Sequence, residues 1–179
     1  MVNPEYFLNV PTFLERIRNG VDDLFEKKSS ITSNLYKLCK KLWFRIEHDQ
    51  ASILQKITFF GLKKTLLNLI KRKVGSRLRF LVCGSAPLMS DVQSWFHMIG
   101  VPVYQVYGLT ETTAIISMDT PKSCKVGTLG IPIEGIQIKQ TENGEIATKG
   151  PHVFQGYYGQ PQKTQEVLQE GWFLTGDLG

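Results

Sequence analysis

Leu78-Arg-Phe-Leu-Val-Cys83 constrains this chain more than any other segment, because it is short, mostly apolar and stopped at once by Gly84-Ser85. A run of that length and texture suits a buried strand of a parallel sheet. Residues 90–99 behind it suit a helix, with Ser90 or Asp91 as its cap. Val101-Pro-Val-Tyr-Gln-Val106 then reads as a second strand, ended by a turn at Gly108. Strand, loop, helix and strand make a βαβ unit, whose ligands sit beyond the carboxyl ends of its strands. Both Gly84–Leu88 and Tyr107–Thr113 leave from such ends.

The sequence on either side has a different texture. In residues 12–26, Phe13, Leu14, Ile17, Val21, Leu24 and Phe25 recur at helical steps, and Pro11-Thr12 fits the start. Residues 31–47 repeat the pattern, with Thr32 or Ser33 as cap, and residues 51–73 form a third stretch, weakened by Gly61. Gly75-Ser76 breaks it. After residue 120 the chain turns to glycines and short β segments: Gly127–Pro132, Gln137–Lys139, Gly144–Gly150 and Phe154–Tyr158. These suit a small antiparallel sheet or a partial barrel with tight turns, and Asn143-Gly144 is a hairpin signal. The expected fold is α/β. A helical segment (1–77) leads into a βαβ portion of a mostly parallel sheet (78–125) and then a small antiparallel β subdomain (126–179).

The net charge of +5 is uneven. Residues 27–79 carry fourteen Lys and Arg against Glu47 and Asp49, whereas residues 80–179 carry five Lys against nine acids. A basic block can serve an anionic membrane, a nucleic acid or a phosphorylated substrate, or be the solvated face of helices. No nucleic-acid motif accompanies it, so no nucleic-acid partner is expected. Cys39, Cys83 and Cys124 lie far apart, as expected of idle thiols in a reducing compartment, and they and the three histidines form no metal spacing. The opening Met1-Val-Asn-Pro-Glu-Tyr6 has no signal-peptide pattern, and a cytoplasmic protein is expected.

Three short segments carry candidate chemistry. Gly84-Ser-Ala-Pro-Leu88 lets backbone approach a flat ligand, although any strand-to-helix turn uses such residues. Tyr107-Gly-Leu-Thr-Glu-Thr-Thr113 offers an aromatic face, a turning glycine, hydroxyls and one carboxylate, suited to an adenine, phosphates and magnesium. The same residues equally suit a polar helix start capped by Thr110. Thr175-Gly-Asp177 can accept two hydrogen bonds from a vicinal diol, or close an Asp turn on its own backbone.

Taken in order, Gly84–Leu88, Tyr107–Thr112, Val126–Gly135, Gly144–Gly150, Phe154–Tyr158 and Gly171-Trp-Phe-Leu-Thr-Gly-Asp177 resemble the adenylate-forming enzymes in sequence and spacing. The resemblance is strong over residues 78–179. Phe7-Leu-Asn-Val-Pro-Thr-Phe-Leu-Glu-Arg-Ile17, with the helical stretch behind it, resembles the long-chain fatty acyl-CoA synthetase branch.

The resemblance implies an AMP-forming fatty acid ligase that uses ATP, Mg²⁺ and CoA. Gly84, Ser85 and Ala86 would supply backbone around an adenine lying on Tyr107. Thr110 would bond the α-phosphate, Glu111 would bind Mg²⁺, Asp177 would hold the ribose hydroxyls, and Gly108 would wall the acyl tunnel. The family's Pro-Lys-Gly phosphate loop and its C-terminal domain are not among these residues, so an internal fragment, inactive alone and poorly stable, is expected. A gating tryptophan of some members aligns with Leu14. Alternatives are an acyl-acyl carrier protein synthetase, or a non-catalytic adenylate-binding module whose basic helices touch an anionic membrane. A peripheral position at the inner membrane surface belongs with that last reading.

Overall fold

The computed structural model describes residues 4–179; Met1–Asn3, part of the opening read for a leader, lies outside them. The chain divides into two compact units, Met1–Val103 and Tyr104–Gly179. The fold is α/β.

In the first unit, β1 (Leu8–Asn9) leads into α1 (Pro11–Glu26), with Pro11 at the first helical position, where a missing N–H costs nothing. α2 (Ser30–Glu47) follows. α3 (Ile53–Leu62) starts on a capping box, in which Ser52 Oγ accepts from Gln55 N–H and Ser52 N–H donates to Gln55 Oε1. The helix passes Gly61, widens into a π-helical turn at Lys63–Leu67 and resumes as α4 (Asn68–Gly75). β2 (Leu81–Cys83) pairs parallel with β1, and α5 (Ser90–Met98) returns the chain to Val101–Val103. There Leu81 N–H donates to Pro102 O at 2.9 Å, laying this stretch beside β2.

Of the stripe in residues 12–26, Leu14 enters the core and Ile17, Val21 and Phe25 pack against it, whereas Phe13 and Leu24 are exposed. Leu14, Leu67, Leu81, Val92 and Phe96 are fully enclosed. Polar bonds tie the helices across it. Tyr36 Oη donates to Asp22 at 2.5 Å and accepts from Trp95 Nε1 at 2.6 Å, while Lys40 reaches Asp22 at 2.8 Å. Trp43 Nε1 donates to Ser94 Oγ, which donates to Glu47. Burial pushes the Cys39 and Cys83 thiols up to about 11, so both stay protonated and unreactive near neutrality.

The second unit opens with β3 (Val103–Tyr107), whose first residue closes the first unit. β3 pairs antiparallel with β4 (Ser117–Met118), and β4 with β5 (Ile131–Pro132). A four-stranded antiparallel sheet follows, in the order β6 (Gln137–Gln140), β7 (Glu145–Lys149), β9 (Trp172–Leu178), β8 (Leu168–Gln169). The turn between β6 and β7 carries Asn143-Gly144, with Gly144 at φ +82°, as the hairpin signal requires.

Several expectations are corrected. The residues before α2 and α5 are Ser29 and Met89, and neither helix has a side-chain cap, so Thr32, Ser33, Ser90 and Asp91 do not cap. Phe154–Tyr158 is not a strand: Gly156 takes φ +141° and Phe154 packs edge-on against Tyr157 and Phe173. From Gly127–Pro132 only Ile131–Pro132 pairs, and it pairs with β4 rather than with the four-stranded sheet. That sheet instead takes in the unforeseen β9, and a short helix α6 (Pro161–Val167) precedes β8.

Leu14, aligned with the tryptophan gate, is wholly buried. Leu14→Ala should cost about 2–5 kcal/mol in urea unfolding. A loss below about 1 kcal/mol would show that the position is not enclosed.

Candidate functional site

Tyr107 ends β3, and the chain reverses there within nine residues. Gly108 permits it: a Cβ at this position would run into the carbonyl of Ala114. Ile116 N–H reaches Tyr107 O at 2.7 Å and Ala114 N–H reaches Leu109 O at 3.1 Å. Between them Thr110–Thr112 form a 3-10 turn, with Thr112 Oγ1 accepting from Leu109 N–H and donating to Leu109 O. Thr113 and Ala114 follow at φ +51° and +81°, a left-handed pair without glycine. Outside bonds hold this strained turn: Thr113 Oγ1 donates to His152 O at 2.8 Å, and Phe154 N–H donates to Glu111 O at 2.7 Å.

The turn leaves Thr110 exposed and Glu111 half-buried. Tyr157 Oη donates to Glu111 Oε1 at 2.9 Å, which leaves the other carboxylate oxygen available. Tyr157 is itself fixed by its N–H on Thr164 Oγ1 at 2.9 Å. Its phenol pKa is raised, chiefly by the bond to Glu111.

Asp177 arrives from the other end of the unit. In β9 the pairing with β7 slips between Glu145 and Ala147, and Gly176 sits at φ +77°. Glu145 Oε1 accepts the Gly176 N–H at 2.7 Å, and Thr175 Oγ1 accepts the Asp177 N–H at 3.2 Å. This irregular step carries Asp177 to Tyr107, whose hydroxyl donates to Asp177 Oδ2 at 2.7 Å across seventy residues of sequence. Tyr107 Oη is pushed up to about 12, first by burial, with the Asp177 bond and charge adding to it and Thr175 opposing.

Of the eight residues singled out in the sequence, five therefore lie on one unit. Tyr107 and Asp177 touch; Gly108, Thr110 and Glu111 lie on the adjoining turn. Gly84, Ser85 and Ala86 belong to the first unit, in the loop after β2, where Ser85 is exposed at φ +70°. Sequence reasoning missed Tyr157 and Glu145, and named Thr175 only as the neighbour of Asp177 in its motif. Tyr157 lay in a segment read as a strand, and the other two act through a bulge that residue order does not announce.

The chain is similar to known proteins along most of its length. Residues 1–158 match the protein family described as AMP-binding enzyme. Long chain acyl-CoA synthetase 1 of Arabidopsis thaliana is 32% identical over 197 residues, covering 99% of this chain and 29% of that protein. The anthranilate CoA ligase AuaEII with anthranoyl-AMP has the same fold, at a TM-score of 0.61, with 19% identity over 97% of this chain and 27% of that one. The o-succinylbenzoate coenzyme A synthetase MenE of Bacillus subtilis, in complex with ATP and magnesium, matches at a TM-score of 0.54 and 29% identity, over 65% of this chain and 27% of that one. The chain thus spans less than a third of the proteins it resembles.

Two substitutions test the geometry. Gly108→Ala should destabilise the second unit, since backbone rather than a flexible side chain blocks the Cβ. Tyr107 favours the neutral phenol when folded, so its contribution is complete below its ordinary pKa of 10.0 and is lost as pH rises through about 12. Denaturant unfolding across that alkaline window should show falling stability, and Tyr107→Phe should flatten the fall.

Proposed function

The chain belongs to the AMP-binding enzyme family, and from that premise we propose that it forms the adenylate-binding part of an AMP-forming fatty acid–CoA ligase. The observation that carries this reading is the junction of Tyr107 with Asp177 beside the Glu111 turn.

In this reading the Tyr107 ring is the platform for adenine. Asp177 accepts from the ribose hydroxyls, with Tyr107 Oη holding its carboxylate in place. Thr110 Oγ1, exposed at the head of the turn, donates to the α-phosphate. Gly108 is required by its own chain, and the acyl-tunnel role is an addition to that requirement.

Magnesium fits the residues present. Among the described residues no three His, Cys, Asp or Glu gather to cage a metal, but Mg²⁺ needs only one or two carboxylates when phosphate oxygens and water complete its shell. Glu111, with one oxygen on Tyr157 and one to spare, would hold it. When bound, the ion supplies charge compensation at the phosphates.

The reaction proposed for the whole enzyme has two steps. A fatty carboxylate oxygen attacks the α-phosphorus of ATP, and the bond to pyrophosphate breaks. The CoA thiolate then attacks the acyl carbonyl, giving the thioester and AMP. The positive charge that the family brings to the first step lies in segments these residues do not include, so the chain alone is proposed to bind and not to turn over. A long-chain acid is favoured by the 32% identity to a long chain acyl-CoA synthetase over nearly the whole chain.

Calorimetric titration with a non-hydrolysable hexadecanoyl-adenylate analogue tests this. Saturable binding is expected, weakened about ten- to a hundredfold in Asp177→Ala, the scale of a lost charge-assisted bond, and weakened also in Tyr107→Ala. Unchanged affinity in both folded variants would sink the site. Equal affinity for an aromatic acyl analogue would sink the long-chain assignment alone.

A further inference from the structure

α3 is apolar on two sides. Phe59 enters the core at 2% exposure, as does Leu67 on the next turns at 0%. The opposite side carries Ile53, Leu54, Ile57 and Phe60, with exposures of 79%, 73%, 62% and 66%. Ile53, Ile57 and Phe60 follow helical steps, so they form one ridge on solvent. Leu69 on α4 is 59% exposed. Large side chains rarely cluster on solvent without a partner.

Charge indicates which partner. No Asp or Glu occurs between Asp49 and Asp91, while Lys56, Lys63, Lys64, Lys71, Arg72 and Lys73 line the same helices. At the π-helical turn, Phe60, Lys63, Lys64, Asn68 and Lys71 border a groove of about 370 Å³, which joins the apolar ridge to the lysines. The ion pairs of the described residues use Arg18, Lys40, Arg77 and Arg79, and none of these three lysines. Burial, and then the charge of Lys71, lower the pKa of Lys63, a repulsion that an anion in the groove relieves.

We propose that the ridge Ile53–Leu54–Ile57–Phe60 inserts into the interfacial layer of an anionic membrane, with lipid phosphates seated against Lys63, Lys64 and Lys71. An apolar face rimmed by lysines is the pattern of a helix lying in a membrane surface, and lysine stems bury while their ammonium groups reach phosphate. A nucleic acid would use the lysines and leave the ridge in water. Among the described residues no helix is long and apolar enough to cross a membrane, so the contact is peripheral. The surface lies wholly in the first unit and does not depend on the ligand reading of Tyr107 and Asp177.

Co-sedimentation of the full chain with phosphatidylcholine vesicles, with and without phosphatidylglycerol, tests it. Binding should require the anionic lipid and fall with added salt. Each of Lys63→Gln, Lys64→Gln and Lys71→Gln should weaken it about fivefold. The double variant Ile57→Gln/Phe60→Gln should abolish it while circular dichroism stays unchanged, since both residues are exposed. Equal binding to neutral vesicles, competition by inorganic phosphate at low concentration, preference for duplex RNA, or a dimer dispersed by Phe60→Gln would each overturn it.

Discussion

The close approach of Gly108 to the backbone of Ala114 is the constraint on which the candidate site rests. With no Cβ in the way, the chain leaving β3 folds straight back, and Tyr107 O takes the Ile116 N–H. The reversal forces Thr113 and Ala114 into left-handed conformations, which alone would be unfavourable. Bonds to His152 and from Phe154 fix both ends of that strain. The result is a short turn that holds Thr110 and Glu111 just after Tyr107 in the chain.

The first unit is specified differently. Its helices are set by apolar stripes, but stripes alone permit rotation about each helix axis. The Asp22–Tyr36–Trp95 chain links α1, α2 and α5, and Trp43–Ser94–Glu47 links α2 and α5 again. Polar groups at these depths are favourable only when satisfied, so each bond excludes rotations that would break it.

What could be read from residue order follows from how local each signal is. α1 and α2 were legible because their stripes repeat over several turns, α5 because it lies between two strand-like runs, and β2 because it is short and apolar. The turn at Asn143-Gly144 was legible because its chemistry is confined to two residues. β9 was not: Gly176 interrupts it, and its partner β7 lies more than twenty residues away. α6 buries no residue, so it has no stripe to read. Phe154–Tyr158 looked extended because it is aromatic, yet its aromatics serve a turn packed on Phe173. Likewise Tyr107 and Asp177 were each visible as a motif, while their hydrogen bond depends on a bulge anchored by Glu145.

Two carboxylates in this unit, Glu111 and Asp177, each already accept a phenol hydrogen bond. A guest at Glu111 can take the oxygen that Tyr157 leaves free, whereas a guest at Asp177 shares that carboxylate with Tyr107. The tyrosines act as placeholders, keeping each acid aimed while nothing else holds it. Because a phenol's near-ultraviolet absorption shifts when its hydrogen bond is exchanged, Tyr107 and Tyr157 are two intrinsic optical probes of what happens at Asp177 and Glu111.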